Sequence, residues 1–154
     1  MPRHAFAAFA LFCLATIGQA GAAQVLHRPS DGEPGTLDPQ KMTAADSIAI
    51  DRDLYIGLVT LSAEEQPVPG VAESWDVSPD KKIWTFHLRH DAKWSNGDPV
   101  TADDFVFTCR RLVDPKTAAD DPSDLKQVAG FEAIVSGKEK DLSKLGVQAL
   151  DPYT

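Results

Sequence analysis

The sequence contains little cysteine, with Cys13 and Cys109 as the two copies in 154 residues. Cys13 lies in an apolar run near the start, and cleavage of that run would leave Cys109 without a partner in the chain. An internal disulfide is therefore not expected. Because Cys109 falls on the apolar face of a predicted helix, we interpret it as a small buried side chain and not as a reactive thiol.

Positive charge is also scarce, since 15 Lys and Arg residues stand against 23 Asp and Glu residues and the net charge is −8. Loss of Arg3 with a cleaved leader would make the charge 14 − 23 = −9. Such an acidic surface repels phosphate backbones and anionic lipids, so nucleic acid is not an expected partner. The acidity indicates a well-solvated surface and says little about the ligand.

Long apolar runs are missing beyond the first segment of the chain. Residues 5–18 are apolar but too short to span a bilayer comfortably, and they follow a short basic start. Ala20-Gly21-Ala22 then supplies the small residues typical of a cleavage site. Residues 1–22 are therefore predicted to be a secretory signal peptide, cleaved after Ala22 or Ala23.

What the chain does contain is a dense set of strand and turn signals from residue 70 onward. The runs Ala72–Val77 and Ile83–Arg89 are separated by a turn rich in proline and aspartate. In the second run bulky residues alternate with polar ones, which predicts one apolar face on a sheet. The dipeptide Asn96-Gly97 predicts a further tight turn. This stretch is therefore interpreted as a β-hairpin followed by a second turn.

A helix is predicted immediately afterwards. Thr101 can cap it, and Asp104 stands three residues later as the partner in a capping box. Five residues share one apolar stripe at helical spacing, namely Phe105, Val106, Cys109, Leu112 and Val113. Arg110 and Arg111 lie off this stripe. The helix is therefore expected to pack its apolar face against the rest of the fold.

Elsewhere the patterns are weaker, and the predictions are coarser. The expected elements are a strand at Val25-Leu26, a helix capped by Asp46 or Ser47 that runs to Leu58, a linker at 64–70, an acidic loop at 114–124, a helix at 125–135 and a strand at 146–150.

Carboxylates, histidines and tryptophans are the residue types of this chain that could form a site of chemistry. Asp103 and Asp104 open a helix, where they favour the helix dipole, and this structural role is preferred over acid–base catalysis. No spacing typical of a zinc, calcium or phosphate site is present, so no metal or cofactor is predicted. Trp75, Trp84 and Trp94 are expected to pack in the core. A secreted hydrolase that uses the carboxylates and tryptophans remains an alternative.

The central stretch closely resembles the extracellular solute-binding proteins of family 5, the periplasmic oligopeptide-binding proteins of ABC importers. The residues that carry the resemblance are Gly70–Trp75, Trp84–Arg89, Asp91–Ser95, Gly97, Pro99–Ala102, Asp104–Val106, Arg111-Leu112 and Asp114-Pro115. The match continues at Leu37-Asp38-Pro39, Arg52-Asp53-Leu54, Gly146-Val147 and Asp151. It therefore covers nearly the whole mature chain.

The resemblance implies an α/β fold, the periplasmic binding protein type II (cluster C) fold, in incomplete form. Residues 23–55 would begin lobe I, and residues 56–154 would form a truncated small lobe II. The resemblance implies a full chain about three times as long, with a further hydrophobic strand directly after the position of Thr154. A chain that stops there would leave a sheet edge unpaired.

The function implied by the resemblance is capture of extended oligopeptides in the periplasm by a monomer, for delivery to the membrane permease of an ABC importer, with no catalysis. The family's peptide-contact loop falls on Thr43, Ala44 and Ala45. Thr43 stands where related binders have an acidic residue, and the loop at 120–122 lacks their aromatic residue. The alternatives are another family ligand (a dipeptide, an opine, nickel or an oligosaccharide) and a truncated remnant without function.

Overall fold

The computed structural model describes residues 32–154, so the predicted signal peptide at 1–22 and the predicted strand at Val25-Leu26 lie outside the described residues. The described part opens with irregular chain and then forms helix α1 (Ala45–Leu54). The expected side-chain cap is wrong, because Ala44 occupies the capping position and Ser47 is buried inside the helix. The predicted extension to residue 58 is also wrong, since the helix ends four residues earlier.

The next elements are two short strands, β1 (Val59–Leu61) and β2 (Pro67–Pro69), which pair antiparallel. The prediction of a linker at 64–70 is therefore wrong. Two prolines within three residues argue against a strand in sequence terms, because proline cannot donate to a ladder. The structure tolerates both prolines in β2 because their nitrogen atoms point away from β1.

Ladder bonds in this small hairpin fall on alternate residues, as expected for antiparallel strands. Gly70 donates its N–H to the carbonyl oxygen of Leu58 at 3.1 Å. Val68 lies two residues before Gly70, so its N–H and carbonyl groups also point toward β1. Pro67 and Pro69 therefore point their nitrogens away from β1, where the missing N–H groups interrupt no bond of the pair.

The predicted central hairpin is confirmed as β3 (Ala72–Val77) and β4 (Trp84–Leu88), paired antiparallel. Its register places Trp75 opposite Phe86, with ring centroids 6.4 Å apart. A register shift near the start of β3 marks a bulge. Ser78 closes the turn by donating its N–H to the carbonyl oxygen of Ile83 at 2.9 Å.

The second predicted turn and the helix after it are also confirmed. An isolated bridge between Lys93 and Pro99 brackets the turn at Asn96-Gly97. Helix α2 (Ala102–Val113) follows at once. Its capping box is present, and the carboxylate Oδ2 of Asp104 accepts the backbone N–H of Thr101 at 2.8 Å. The local signals in this stretch therefore agree with the fold.

Two hydrophobic clusters lie along α2. The first, called the hairpin core below, is formed by the buried residues Val71, Ala72, Leu88, Val100 and Ala102. The segment 151–154 closes it with backbone bonds, because Leu88 donates to Tyr153 and Ala102 donates to Pro152, both at 2.8 Å. The hairpin core is thus held by apolar packing and by main-chain bonds together.

The second cluster, called the helical core below, joins the end of α2 to helix α3 (Phe131–Val135) and to 3-10 turns at Pro122–Leu125 and Leu142–Lys144. Its buried residues are Val113, Phe131, Ile134 and Leu145. Cys109 packs against this cluster as a partly buried side chain, so its predicted contact with the core is confirmed but its full burial is not.

The single helix predicted at 125–135 is wrong, because Gly130 breaks it. Gly130 adopts a left-handed conformation with φ of 85°. A Cβ at this position would overlap the carbonyl oxygen of Lys144, so the close approach of two backbones requires glycine. The reason for the break lies 14 residues away (144 − 130) and has no local signal.

The strand predicted at 146–150 is also wrong. Gly146 donates its N–H to the carbonyl oxygen of Ala129 at 2.7 Å, which binds this stretch to the turn before α3. Leu150 then bonds to Thr154 across a turn at 2.9 Å. No neighbouring strand among residues 32–154 offers a ladder here, so the chain stays irregular.

Candidate functional site

The predicted contact loop is preceded by a tight turn, called the Asp38 turn below, which spans residues 38–41. Asp38 accepts the N–H of Lys41 on its backbone carbonyl oxygen at 2.9 Å, and its side chain accepts the N–H of Gln40 at 3.2 Å. Pro39 takes the second position, where its fixed φ favours a turn. The sequence Leu37-Asp38-Pro39 therefore has a local structural role.

Thr43, Ala44 and Ala45 follow this turn, and the structure places all three at the surface as exposed residues. Ala44 is the N-cap of α1, and within the described residues no side chain caps the helix. The first intrahelical bond runs from Ile48 N–H to Ala44 O at 3.1 Å. Among the described residues, the N–H of Ala45 precedes this first bond and therefore has no partner inside the helix.

Arg111 connects the Asp38 turn to α2. Its guanidinium donates from Nη1 to Asp38 Oδ1 at 2.9 Å and from Nη2 to Asp38 Oδ2 at 2.6 Å, a bidentate pair. Nη1 also donates to Oε1 of Gln40 at 2.7 Å. Gln40 in turn donates from Nε2 to the carbonyl oxygen of Thr108 at 2.8 Å. We call this set of bonds the Arg111 tie.

The Arg111 tie has a clear electrostatic effect. Hydrogen bonds from Arg111 hold the pKa of the Asp38 carboxyl below its usual value, and the same carboxylate raises the pKa of Arg111. The two side chains are 25% and 32% exposed, which is low for an ion pair near a surface. Charge-assisted bonds in this fork geometry are stronger than single neutral bonds.

The acidic loop predicted at 114–124 reaches the same place. Asp120 donates its N–H to the carbonyl oxygen of Gln40 at 3.1 Å, so this loop lies beside the Asp38 turn. Asp121 caps the 3-10 turn of the loop by accepting the N–H of Ser123 at 2.8 Å. The structure thus brings together two loops that the sequence analysis singled out separately. No sequence signal had linked them.

The carboxylates Asp103 and Asp104 take structural positions at the start of α2. Besides the N–H of Thr101, Asp104 Oδ2 accepts a weak bond from Nε1 of Trp94 at 3.4 Å. Asp103 is exposed on the neighbouring face. The predicted capping role of Asp104 is therefore confirmed.

The expectation that all three tryptophans pack in the core is wrong. Trp84 is 54% exposed and Trp94 is 44% exposed, whereas Trp75 is partly buried against Phe86. Trp84 sits near the far end of the β3–β4 hairpin, beyond the reach of the hairpin core. The alternation of bulky and polar residues predicted correctly which face of β4 is apolar. It did not predict that the hairpin core ends before Trp84.

The remaining candidates form separate local contacts. His87 bonds to Asp76 across the β3–β4 hairpin at 2.8 Å, and His90 stacks on Tyr153 with ring centroids 3.9 Å apart. Burial raises the pKa of the Cys109 thiol, which disfavours its reactive thiolate form. Within residues 32–154, no group of three or more His, Cys, Asp or Glu side chains could hold a metal ion.

Two surface grooves lie away from the contact loop. One of about 340 Å³ runs along α2 and is lined by Phe107, Arg110 and Arg111 among others. The other, of about 450 Å³, lies beside the ion pair of Arg89 and Asp91. Thr43, Ala44 and Ala45 line neither groove. Among residues 32–154 there is also no helix with the length and apolar character that crossing a membrane would require.

Comparison with solved structures defines the class of protein. The chain superposes on the crystal structure of Haemophilus influenzae OppA in complex with RPPGFSPFR with a TM-score of 0.75 and 52% identity, over 79% of this chain and 24% of that chain. This chain therefore has the α/β fold of a periplasmic binding protein, which agrees with the prediction from the sequence. The chain spans about a quarter of the length of such relatives.

The family follows from a second comparison. Residues 66–154 match the model for bacterial extracellular solute-binding proteins, family 5, and the chain belongs to this family. It is 48% identical over 133 residues to the periplasmic oligopeptide-binding protein OppA of Escherichia coli, covering 85% of this chain and 24% of that protein. It is also 43% identical over 133 residues to a probable deoxycholate-binding periplasmic protein, YgiS of Escherichia coli, with 85% and 25% covered.

Proposed function

We propose that the chain serves in the substrate-binding component of an ABC importer that captures oligopeptides in the periplasm and delivers them to a membrane permease. The observation that carries this proposal is the 48% identity to a periplasmic oligopeptide-binding protein over 85% of the chain. The structural similarity to an OppA bound to RPPGFSPFR supports it. The component acts as a monomer and catalyses no reaction.

Ligand contact is assigned to Thr43, Ala44 and Ala45. All three residues are exposed, and the helix that starts there has no side-chain cap among the described residues, so main-chain N–H groups are available to peptide carbonyl oxygens. Main-chain bonding of this kind supplies affinity without reading the ligand's sequence. Two alanines leave the backbone accessible, which suits a tolerant site.

The organisation of the chain is proposed in the same terms. Residues 1–22 form a cleaved signal peptide that directs export to the periplasm, residues 23–55 begin the first lobe, and residues 56–154 belong to the second lobe. The basic start and the apolar run before Ala20-Gly21-Ala22 support export. The periplasmic relatives support the location.

A second ligand class has a specific observation in its favour. At 43% identity and equal coverage of this chain, YgiS is a probable deoxycholate-binding protein. Relatives of comparable identity thus include an oligopeptide-binding protein and a probable deoxycholate-binding protein. A steroid needs an apolar pocket and few main-chain bonds, so the two ligands make different demands on the loop.

The test is native mass spectrometry of the protein isolated from the periplasm of its own cells, followed by sequencing of the molecules released on heating. Peptides of mixed sequence are the expected release. The change Ala44→Trp should reduce it, because a large side chain then covers the loop backbone. Ala63→Trp is the matched control, since Ala63 is also exposed but lies in the turn between β1 and β2.

Two results would contradict the proposal. Release of a steroid in place of peptides would move the assignment to the second ligand class. Equal peptide release from the wild type, Ala44→Trp and Ala63→Trp would retain the function but remove the loop from the binding site.

A further inference from the structure

We propose that Arg111 is the residue that positions the contact loop Thr43–Ala45, by holding the Asp38 turn against the end of α2. The inference rests on the proposed function, because it concerns the loop to which ligand contact is assigned. It makes Arg111 a positioning residue that supports the site from behind and does not itself touch the ligand.

The loop is short and is anchored on both sides. On one side the Asp38 turn ends at Lys41, and on the other side Ser47 is buried with 1% exposed. Because one residue spans at most about 3.6 Å, a loop of this length cannot move far while both anchors hold. Releasing either anchor would let the loop leave its place at the start of α1.

The second anchor is held by burial of Ser47, whereas the first is held by polar bonds. No residue from 32 to 46 is fully buried, Leu37 is 50% exposed, and Pro39 is exposed. Burial of apolar surface therefore contributes little to holding the Asp38 turn. Its position depends on hydrogen bonds to other elements.

Arg111 makes most of those bonds. Five hydrogen bonds join the Asp38 turn to α2 and the acidic loop within the described residues, and three of them come from this guanidinium. The planar fork of arginine matches a carboxylate in two bonds and still reaches Gln40, which a lysine ammonium cannot reproduce. One side chain thus aligns both the carboxylate and the amide of the turn.

The neighbouring residue provides a matched control. Arg110 carries the same charge on the same turn of α2, but within the described residues it makes no hydrogen bond to residues 38–41. Its Nε atom is buried there without a hydrogen-bond partner. Removing Arg110 therefore takes away a like charge without loosening the Asp38 turn.

The test is hydrogen exchange measured by mass spectrometry on the full chain as wild type, Arg111→Met and Arg110→Met. In Arg111→Met the amides of residues 40–48 should exchange about tenfold faster, the size expected from losing charge-assisted bonds. The amides of the β3–β4 hairpin should be unchanged. Arg110→Met should match the wild type throughout. Unchanged exchange at 40–48 in Arg111→Met would overturn the proposal.

Further variants keep the test decisive if Arg111→Met loses its fold, which would show as faster exchange in the β3–β4 hairpin as well. Asp38→Asn keeps the size of the side chain and its acceptor for Gln40, yet removes the charged partner. It should free the same amides. Combining it with Arg111→Met should add no further effect, since both changes break one tie. Arg111→Lys should restore protection only in part.

Binding is measured in parallel, with fluorescein-labelled trialanine as the probe. A roughly tenfold weaker Kd in Arg111→Met, with no change in Arg110→Met, is expected if the freed loop loses its place. A loop that exchanges faster while Kd stays constant would overturn the role of Arg111 in binding. Failure of the wild type to bind trialanine would count against the proposed function, while the exchange data would still decide whether Arg111 holds the loop.

Discussion

The hairpin core and the helical core lie along the same helix, yet they are held in different ways. Around the hairpin core, an antiparallel ladder with one bulge joins β3 to β4, and the segment 151–154 adds two further main-chain bonds. The helical core has a five-residue helix, two 3-10 turns and four buried side chains. Regular backbone bonding thus supports one core, and close contact between irregular segments supports the other.

This difference indicates where the fold is sensitive. A ladder spreads its stability over many similar bonds, so the loss of one changes little. The contact between Gly130 and the chain at Lys144–Leu145 has no such redundancy, because two backbones meet directly. We therefore expect loss of this contact to be more damaging than loss of a single ladder bond in the hairpin core.

The largest effect is expected for Gly130→Ala. The added Cβ would overlap the Lys144 carbonyl oxygen, and φ of 85° is unfavourable for alanine. The free energy of unfolding should fall by about 3 kcal/mol. Urea unfolding followed by tryptophan fluorescence measures it.

Gly137→Ala separates backbone strain from the overlap. Gly137 also has a positive φ, of 74°, but a Cβ there meets nothing within 4 Å. Its cost should be about 1 kcal/mol. Equal costs at the two glycines would show that strain alone matters and that the contact with Lys144 adds nothing.

A smaller effect is expected for Asp104→Ala, at the start of the helix that both cores share. The change removes the acceptor of the Thr101 N–H and should cost about 1 kcal/mol. Asp103→Ala is the control, because Asp103 is exposed in the same helical turn and should cost about 0.3 kcal/mol through the helix dipole alone. Thermal unfolding of both variants tests the difference, and similar costs would argue against the capping box.

The smallest expected effect is a dependence of the free energy of unfolding on pH, which arises from the Arg111 tie. The pKa of Asp38 is lower in the folded chain than its ordinary value of 3.8. The tie therefore contributes its full stability above the ordinary pKa and loses it as the pH falls through the lower folded value. The difference in free energy of unfolding between the wild type and Asp38→Asn should be constant at neutral pH and shrink below about pH 4.

Arg111→Met provides the check on this assignment. It should show the same dependence on pH relative to the wild type, because either change removes the same ion pair. A wild-type curve parallel to both variants down to low pH would mean that the tie adds no titrating contribution.

The elements that were predicted correctly from the sequence depend on interactions between residues close together in the chain. Alternation over Trp84–Leu88 and the capping partners Thr101 and Asp104 each act within a few residues, so their signals are local. The predictions that failed depend on distant contacts. No helix runs through Gly130 because of its contact with Lys144, and Pro67 and Pro69 fit a strand because of how β1 pairs with it.

The candidate site shows the same division. Leu37-Asp38-Pro39 is a turn by its own chemistry, and the resemblance placed Thr43–Ala45 after it. The Arg111 tie spans 73 residues between Asp38 and Arg111, and helical spacing indicated only that Arg111 lies off the apolar stripe. No periodic pattern in a sequence indicates a hydrogen bond between residues so far apart in the chain. The bonds between Arg111 and the Asp38 turn are therefore visible only in the structure.

The prolines of β2 have one more consequence. An exposed strand edge normally recruits other chains, because its free N–H and carbonyl groups form half of a new ladder. Pro67 and Pro69 remove both outward N–H groups of this strand and leave carbonyl oxygens alone. An incoming strand would find no donors there, which protects the protein from edge-to-edge aggregation. An extended peptide could bond to this edge only by donating its own N–H groups, because its carbonyl oxygens would find no donors there.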